Sequence, residues 1–573
     1  MCLDVCSGED IGGTCMGIFR TGGTAVWHSR DGRGCSLHKQ GSGRYTRPGP
    51  ALQPRTPEVS IPRPSRRGGP RHVAAKRPQF LNMLFLAVLG VVLVLWLLYR
   101  GTLKPRGFPP GPARTPFVGF LPQLEQHLIH KQMWRMSHSY GPVIGVFFAH
   151  KPVVVVNGWE AIKESLQNDD LNGRPEISLR KIMQGGVLRG VMFVEGEFWK
   201  EQRRFSLHHF RNLGFGKRSH ESVIHEEARE LIDEVLDADG SSLVGISSIN
   251  ILWAVMGGVR FPRKDPQLMH LVDSLNKLFR AGDPSGGLVG AFPFLRHFVS
   301  QENRAIVVMN GFALVEEFIK KAVEQHKESL DPNNPRDFID IYLNEINNEL
   351  NNNSKTSSTF SEREQLIAVC TDVFSAGAET GSATVAFSVM LMCLFPEVMK
   401  KVQKEIDSVI GRNRFPSMAD RTDLPYVEAT LNEVFRFRGA ATFTVPHSAM
   451  RDTVLRGHRI PAKTMVMNNL YSVHMDPEYW GDPENFRPER FINADGTFRK
   501  DERMIPFGKG KGPSSWTALG EPLARMTSFL LFAALVQHLD FELDPAVPVT
   551  NTEGVAGFTL GPPEFRVFAK RRF

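Results

Sequence analysis

The run from about Leu366 to Leu394 is apolar with helical periodicity, yet Ala376-Gly377-Ala378-Glu379-Thr380 sits in its middle. A glycine inside a helix costs about 1 kcal/mol relative to alanine. A carboxylate and a hydroxyl among apolar side chains are costly unless they find partners. Such a helix needs a large core around it and neighbours that satisfy Glu379 and Thr380. Helical periodicity recurs at Ile224 to Leu236, Val308 to His326, Glu397 to Val409 and Tyr426 to Phe437. Short β-rich runs such as Val153 to Val156, followed by Asn157-Gly158, lie between them. The pattern predicts a mainly α fold with small β-sheet portions. No internal repeat and no long linker follows residue 113, so 113–573 reads as one large domain.

The N-terminal part is of another kind. Leu84 to Leu98 is apolar without a break, and Met83 to Tyr99 reaches about 25 Å as a helix, just enough for a thin bilayer. Trp96 and Tyr99 suit an interface. Arg100, Lys104 and Arg106 follow, then Phe108-Pro109-Pro110-Gly111-Pro112. A buried core helix is the rival reading, and the proline break argues against it. The expected division is a disordered basic extension over 1–82, a transmembrane anchor over 83–99, a basic, proline-rich hinge over 100–112, and the main domain.

The net charge of +8 comes from 69 Lys and Arg against 61 Asp and Glu. Residues 1–80 hold 13 basic and 5 acidic residues, which leaves 56 of each in the remainder. Nucleic-acid binding by overall charge is therefore excluded for the main domain. The six cysteines are Cys2, Cys6, Cys15, Cys35, Cys370 and Cys393, with no zinc or disulfide spacing. Arg66, Arg67, Arg71, Lys76 and Arg77 precede the anchor and favour an N-terminus in the cytosol. A start at Met83 removes that bias, so residues 1–82 are expected to be untranslated or mis-joined sequence. N-terminal sequencing that finds any residue upstream of Met83 contradicts this.

Several residue sets carry chemistry. Glu433 and Arg436, in LNEVFRFRG, share one helix face at i,i+3, and Arg490 follows in FRPERF. Trp199 and Arg203, in FWKEQRRF, are one turn apart, and His447 lies in TVPHSAM. Pro506 to Arg525 reads PFGKGKGPSSWTALGEPLAR.

The two flanks of that last stretch resemble the heme-binding loop of cytochrome P450s, whose pattern is Phe-Gly-x-Gly-x-Arg-x-Cys-x-Gly. The resemblance runs from about Pro109 to the C-terminus and implies the P450 fold behind an N-terminal anchor. It implies heme (iron protoporphyrin IX) on a cysteine thiolate, with Phe507 and Gly508 in the loop beside it. It also implies a structural triad of Glu433, Arg436 and Arg490, propionate contacts from Trp199, Arg203 and His447, and a proton relay through Glu379 and Thr380 where the distal helix opens locally. Gly381 departs from a second threonine common in relatives. Gln202 to Lys217 and Asp331 to Leu343 resemble microsomal family-2 members, most of all arthropod ones that oxidise terpenoid hormones or steroids. Implied partners are NADPH-cytochrome P450 reductase, cytochrome b5, the membrane and a small lipophilic substrate, contacted from 173–193 and 286–298. The basic residues of FWKEQRR and PFGKGK suit an acidic electron donor. The implied address is the endoplasmic reticulum with a cytosolic catalytic domain, and a mitochondrial address is the alternative.

Gly512 to Ala518 stands where the family has Arg-x-Cys. Counted from the left flank the cysteine position is Ser514, and from the right flank it is Ala518. Neither supplies a thiolate, and a serine hydroxyl is a poor, hard ligand for iron. Two readings follow. The first is a monooxygenase whose loop is mis-joined in this sequence, favoured by the sharp edges of the patch. The second is a non-catalytic, membrane-anchored P450-fold pseudoenzyme.

Overall fold

Residues 77–237, 243–351, 360, 362–509, 518–549 and 551–573 are described by the structure, a computed structural model. The expected extension up to residue 76, and Ser514, lie outside the described residues.

Helix α1 spans Arg77–Thr102. Within it Asn82–Thr102 is long and apolar enough to cross a membrane, and none of its most apolar window is buried by protein. The helix runs beyond the expected anchor 83–99 at both ends: 77–82, expected as part of a disordered extension, are helical, and Arg100, Gly101 and Thr102 carry the backbone ladder on before Pro105.

A four-stranded sheet follows. Strands β1 (Val143–Phe148) and β2 (Lys151–Val156) form an antiparallel hairpin. Next come α2 (Gly196–Asn212), α3 (Leu243–Met256), α4 (Pro266–Ala281) and α5 (Arg304–Glu328). Helix α6 runs Arg363–Leu394 and α7 runs Pro425–Arg438. Strands β3 (His447–Ser448) and β4 (Met465–Asn468) complete the sheet in the order β1-β2-β4-β3, with β2 and β4 parallel. Helix α8 (Glu521–His538) leads directly into β5 (Leu539–Leu543), which pairs with β6 (Val567–Arg571).

The core is built around α6. Twenty-one of its residues are buried, from Gln365 to Met392. Several of its hydroxyl residues are satisfied by bonding backward along the helix. The hydroxyls of Thr371, Thr380, Thr384 and Ser388 each donate to the carbonyl four residues earlier, at 2.8 to 2.9 Å. On one side Trp253 of α3, Phe318 of α5 and Phe374 of α6 form a ring cluster with centroids 4.8 to 5.7 Å apart. Full burial of each such ring contributes about 1.5–3 kcal/mol. Although apolar enough to span a bilayer, α6 is two-thirds buried by protein in that window, which marks it as a core helix.

Gly377 sets how closely α6 approaches α3. A Cβ there meets Leu252 Cδ2 at 2.9 Å. That atom ends a flexible side chain, so Gly377→Ala is expected to be nearly neutral: about 1 kcal/mol of helix propensity is gained and spent on moving Leu252. Gly377→Val is expected to cost about 1–3 kcal/mol by overpacking. Thermal unfolding of the two variants beside the parent checks the contrast.

Candidate functional site

A cavity of about 1020 Å³ lies between α6 and the segments on either side of residues 510–517. One wall is the α6 stretch Ala376, Gly377, Thr380 and Gly381. The opposite wall is Phe507, Gly508, Ala518, Leu519 and Leu523. Remaining surfaces come from 174–193 and from Gly286 to Phe298, the two regions that the resemblance offered as substrate contacts.

At one end three basic side chains converge. Arg174 Nη1 lies 3.2 Å from His447 Nδ1, and Arg203 lines the same cavity. Burial and the nearby Arg203 charge pull Arg174 down to about 10. Arg203 is lowered by burial. His447 is held well below its usual range by burial and by Arg174, so it is neutral. Two guanidiniums at one end of the cavity give it a positive end that suits an anion. Trp199 is absent from this lining: its indole N–H donates to the Val191 carbonyl at 3.0 Å, and Arg203 stacks over its ring at 5.5 Å. Arg174 was missed in the sequence, where it stands in an unremarkable Asn-Gly-Arg-Pro turn.

The acid and alcohol of α6 part company. Thr380 faces the cavity with its hydroxyl back-bonded to Ala376 at 2.8 Å. The helix is continuous through Gly377 and Thr380, where the resemblance implied a local opening. Glu379 points away from the cavity. Its carboxylate pairs with Arg280, the penultimate residue of α4, and accepts from Thr559 Oγ1 at 2.6 Å. Burial raises its pKa despite Arg280.

A second buried pair closes the wall. Asp372, two turns before Thr380, pairs with Arg180 and accepts from the Val191 and Met192 amides at 2.8 and 2.9 Å. Gly190 is required beside it, because a Cβ there sits 2.2 Å from Asp372 Oδ2.

Beneath the opposite wall, the structure brings Glu433, Arg436 and Arg490 together. Arg436 grips Glu433 with two bonds of 2.7 Å, and Arg490 Nε reaches Glu433 Oε1 at 3.2 Å. Spare donors go to the carbonyls of His474, Pro483, Trp480 and Asp482. Phe507 packs edge-on against Phe435 of α7 at 5.4 Å, and Arg525 lies over its other side at 4.8 Å. Gly508 has φ +75°, which favours glycine. The Ala518 amide donates to the Phe507 carbonyl at 2.9 Å, so the base of the loop is closed at Ala518.

A mostly apolar cavity of this size with two guanidiniums at one end suits a porphyrin and its carboxylates. The fit fails at the axial position: Pro506 to Arg525 contains no cysteine, and Cys370 and Cys393 are buried or partly buried on α6 with thiols raised by burial, to about 12 for Cys393.

The fold is mainly helical, with a candidate membrane anchor at Asn82–Thr102 and one large, mostly apolar cavity. The family model described as Cytochrome P450 matches residues 109–568, and the chain belongs to that family of heme monooxygenases. Cytochrome P450 2C28 of Mesocricetus auratus is 36% identical over 486 residues, covering 83% of this chain and 96% of the relative. Cytochrome P450 2C14 of Oryctolagus cuniculus is 37% identical over 465 residues, covering 80% and 91%. Cytochrome P450 2B4 of Oryctolagus cuniculus is 36% identical over 504 residues, covering 85% and 99%.

Two outcomes are expected of the buried charges. Glu433→Gln leaves two buried guanidiniums short of a counter-charge and is expected to cost about 3–5 kcal/mol, read as loss of folded protein or a lowered unfolding midpoint. Glu478→Gln, on the exposed turn beside Trp480, is the control and should stay within about 0.5 kcal/mol. His474, buried beside Arg436, is pushed down to about 3 by burial first and that guanidinium second. It is neutral in the fold and takes up a proton near pH 6.5 when unfolded. Its contribution is present above pH 6.5 and is lost as pH falls toward about 3, at up to about 1.4 kcal/mol per unit. Unfolding midpoints across that range should fall more steeply for the parent than for His474→Gln.

Proposed function

We propose that this sequence comes from a heme-thiolate monooxygenase that inserts one oxygen atom of dioxygen into a lipophilic substrate. The observation that carries it is the cavity itself, with Thr380 on one wall, Phe507 and Ala518 opposite, and Arg174, Arg203 and His447 at its end. Substrate class follows the resemblance to terpenoid, steroid or xenobiotic oxidisers. Electrons come from NADPH through cytochrome P450 reductase, with cytochrome b5 as a second donor. Exposed Lys200 and Lys509 supply positive charge for an acidic partner. Helix α1 anchors the chain in the endoplasmic reticulum membrane, with the catalytic part in the cytosol after Arg100, Lys104 and Arg106.

When bound, heme supplies the dioxygen chemistry. The chain's own residues do the rest. Arg174 and Arg203 would hold the two carboxylates, with neutral His447 beside Arg174. Phe507 and Leu523 would offer apolar surface to the macrocycle, and the apolar roof over 286–298 would exclude water. Thr380 would pass a proton at the cavity wall, whereas Glu379, the other member of the expected pair, is held by Arg280 and Thr559 on the far side of α6.

A specific observation favours a second reading for the chain as written. Ala518 stands in the cavity wall where the right-flank register places the ligand, and it offers a methyl group. In that form the protein is a porphyrin-binding pseudoenzyme without oxygen activation. Reduction under carbon monoxide separates the two. This sequence is expected to give no thiolate-type Soret band, and restoring Arg-x-Cys between Lys511 and Leu519, with the cysteine at position 518, is expected to produce one. A thiolate band from the unaltered chain contradicts the assignment of the patch, and its absence from the restored chain contradicts the cavity assignment.

A further inference from the structure

The two facing walls of the cavity hold little that could bind a metal. On the α6 wall, Ala376, Gly377 and Gly381 carry no donor atom, and the Thr380 hydroxyl is committed to the Ala376 carbonyl at 2.8 Å. On the opposite wall, Phe507, Gly508, Ala518, Leu519 and Leu523 carry none. The whole stretch from Pro506 to Arg525 contains no cysteine, histidine or methionine. Softer donors of the lining stand off these walls. His447 is at the cationic end with Nδ1 on the Val445 carbonyl at 2.8 Å, Met465 and Met467 are on β4, Met309 is on α5, and Met183 and Met192 belong to the 174–193 segment.

Counter-charge is missing from the same place. The one carboxylate between Pro506 and Arg525, Glu521, accepts from Arg525 Nε at 2.8 Å. Asp372 is taken by Arg180 and two amides, and Glu379 by Arg280 and Thr559 behind α6. Asp283, under the roof, is bonded to Ser285. Arg174 and Arg203 recognise carboxylates at the rim of a porphyrin and do not read its centre. A ferric porphyrin carries one positive charge at that centre, which a thiolate cancels in the family. Burying the charge between these apolar walls without a partner is costly. A metal-free or zinc porphyrin has an uncharged centre and escapes that cost.

We propose that the chain as written binds porphyrins by their rim and selects an uncharged centre, so that metal-free and zinc porphyrins with two carboxylates are taken in preference to the ferric form. This rests on the porphyrin-binding reading of the chain as written, and it inverts the preference of a thiolate site. Arg174 and Arg203 set the affinity for all three forms alike. Ala518, facing α6 with a methyl group, sets the order among them.

The test titrates the full chain in lipid nanodiscs, with empty nanodiscs as blank, and reads tryptophan quenching. The probes are metal-free, zinc and ferric protoporphyrin IX. The metal-free and zinc forms are expected to bind within about threefold of each other, and the ferric form at least about threefold more weakly than the metal-free form. The dimethyl ester of the metal-free form is expected to lose at least about tenfold, because the rim carboxylates are gone. Ala518→Cys is expected to reverse the order, with the ferric form at least about tenfold tighter than the metal-free form. Ferric binding by the unaltered chain that is less than about threefold weaker than metal-free binding overturns the proposal, since a ligand or counter-charge then reaches the centre. An ester that binds as well as the acid overturns the rim recognition, and an unchanged order in Ala518→Cys overturns the role of Ala518. Saturation by none of the three probes overturns the porphyrin-binding reading itself, which separates that failure from a failure of the preference.

Discussion

Glu433 and the two guanidiniums around it are wholly removed from water, and a buried charge of this kind tolerates no missing partner. Arg436 and Arg490 together spend their remaining donors on carbonyls between His474 and Asn485. The ion triad therefore fixes α7, the 471–485 segment and the Pro488–Phe491 turn as one block. Phe435 of α7 then sets Phe507, and His474 accepts from the Ile505 amide at 3.4 Å. The cavity's proximal wall inherits its position from charges that never touch a ligand.

The opposite wall depends on a different economy of polar groups. Helix α6 is apolar enough to be mistaken for a membrane span, and most of its buried polar side chains toward the cavity have partners, with the Ser375 hydroxyl an exception. Hydroxyls bond backward along the helix, Asp372 takes Arg180 and two amides, and Glu379 takes Arg280 and Thr559. Both carboxylates are raised by burial, and both are neighbours of arginines from segments that wall the cavity.

Much of this was legible in the sequence. Helical periodicity placed α6 to within three residues and α7 to within one, because apolar spacing directly reports the buried face. Glu433 with Arg436 was visible because a helix puts i and i+3 side by side, and Arg490 was reached only through the family resemblance. Contacts across long separations were not legible. Arg280 with Glu379 and Arg180 with Asp372 span 99 and 192 residues, and nothing local marks either arginine. Trp199 was expected to face a propionate, yet its N–H is taken by a carbonyl eight residues earlier. The sharp edges of the 512–518 patch were legible, and the described residues add that Ala518 closes onto Phe507.

The account's central claim is that the cavity is shaped and charged for a porphyrin with two carboxylates even though this chain lacks the axial thiolate. Titration of the full chain in nanodiscs with zinc protoporphyrin IX, followed by tryptophan fluorescence quenching, tests it without iron or catalysis. The account predicts saturable binding of one porphyrin per chain, weakened about tenfold or more by Arg203→Gln and again by Arg174→Gln. Binding that fails to saturate, or that ignores both substitutions, would contradict it.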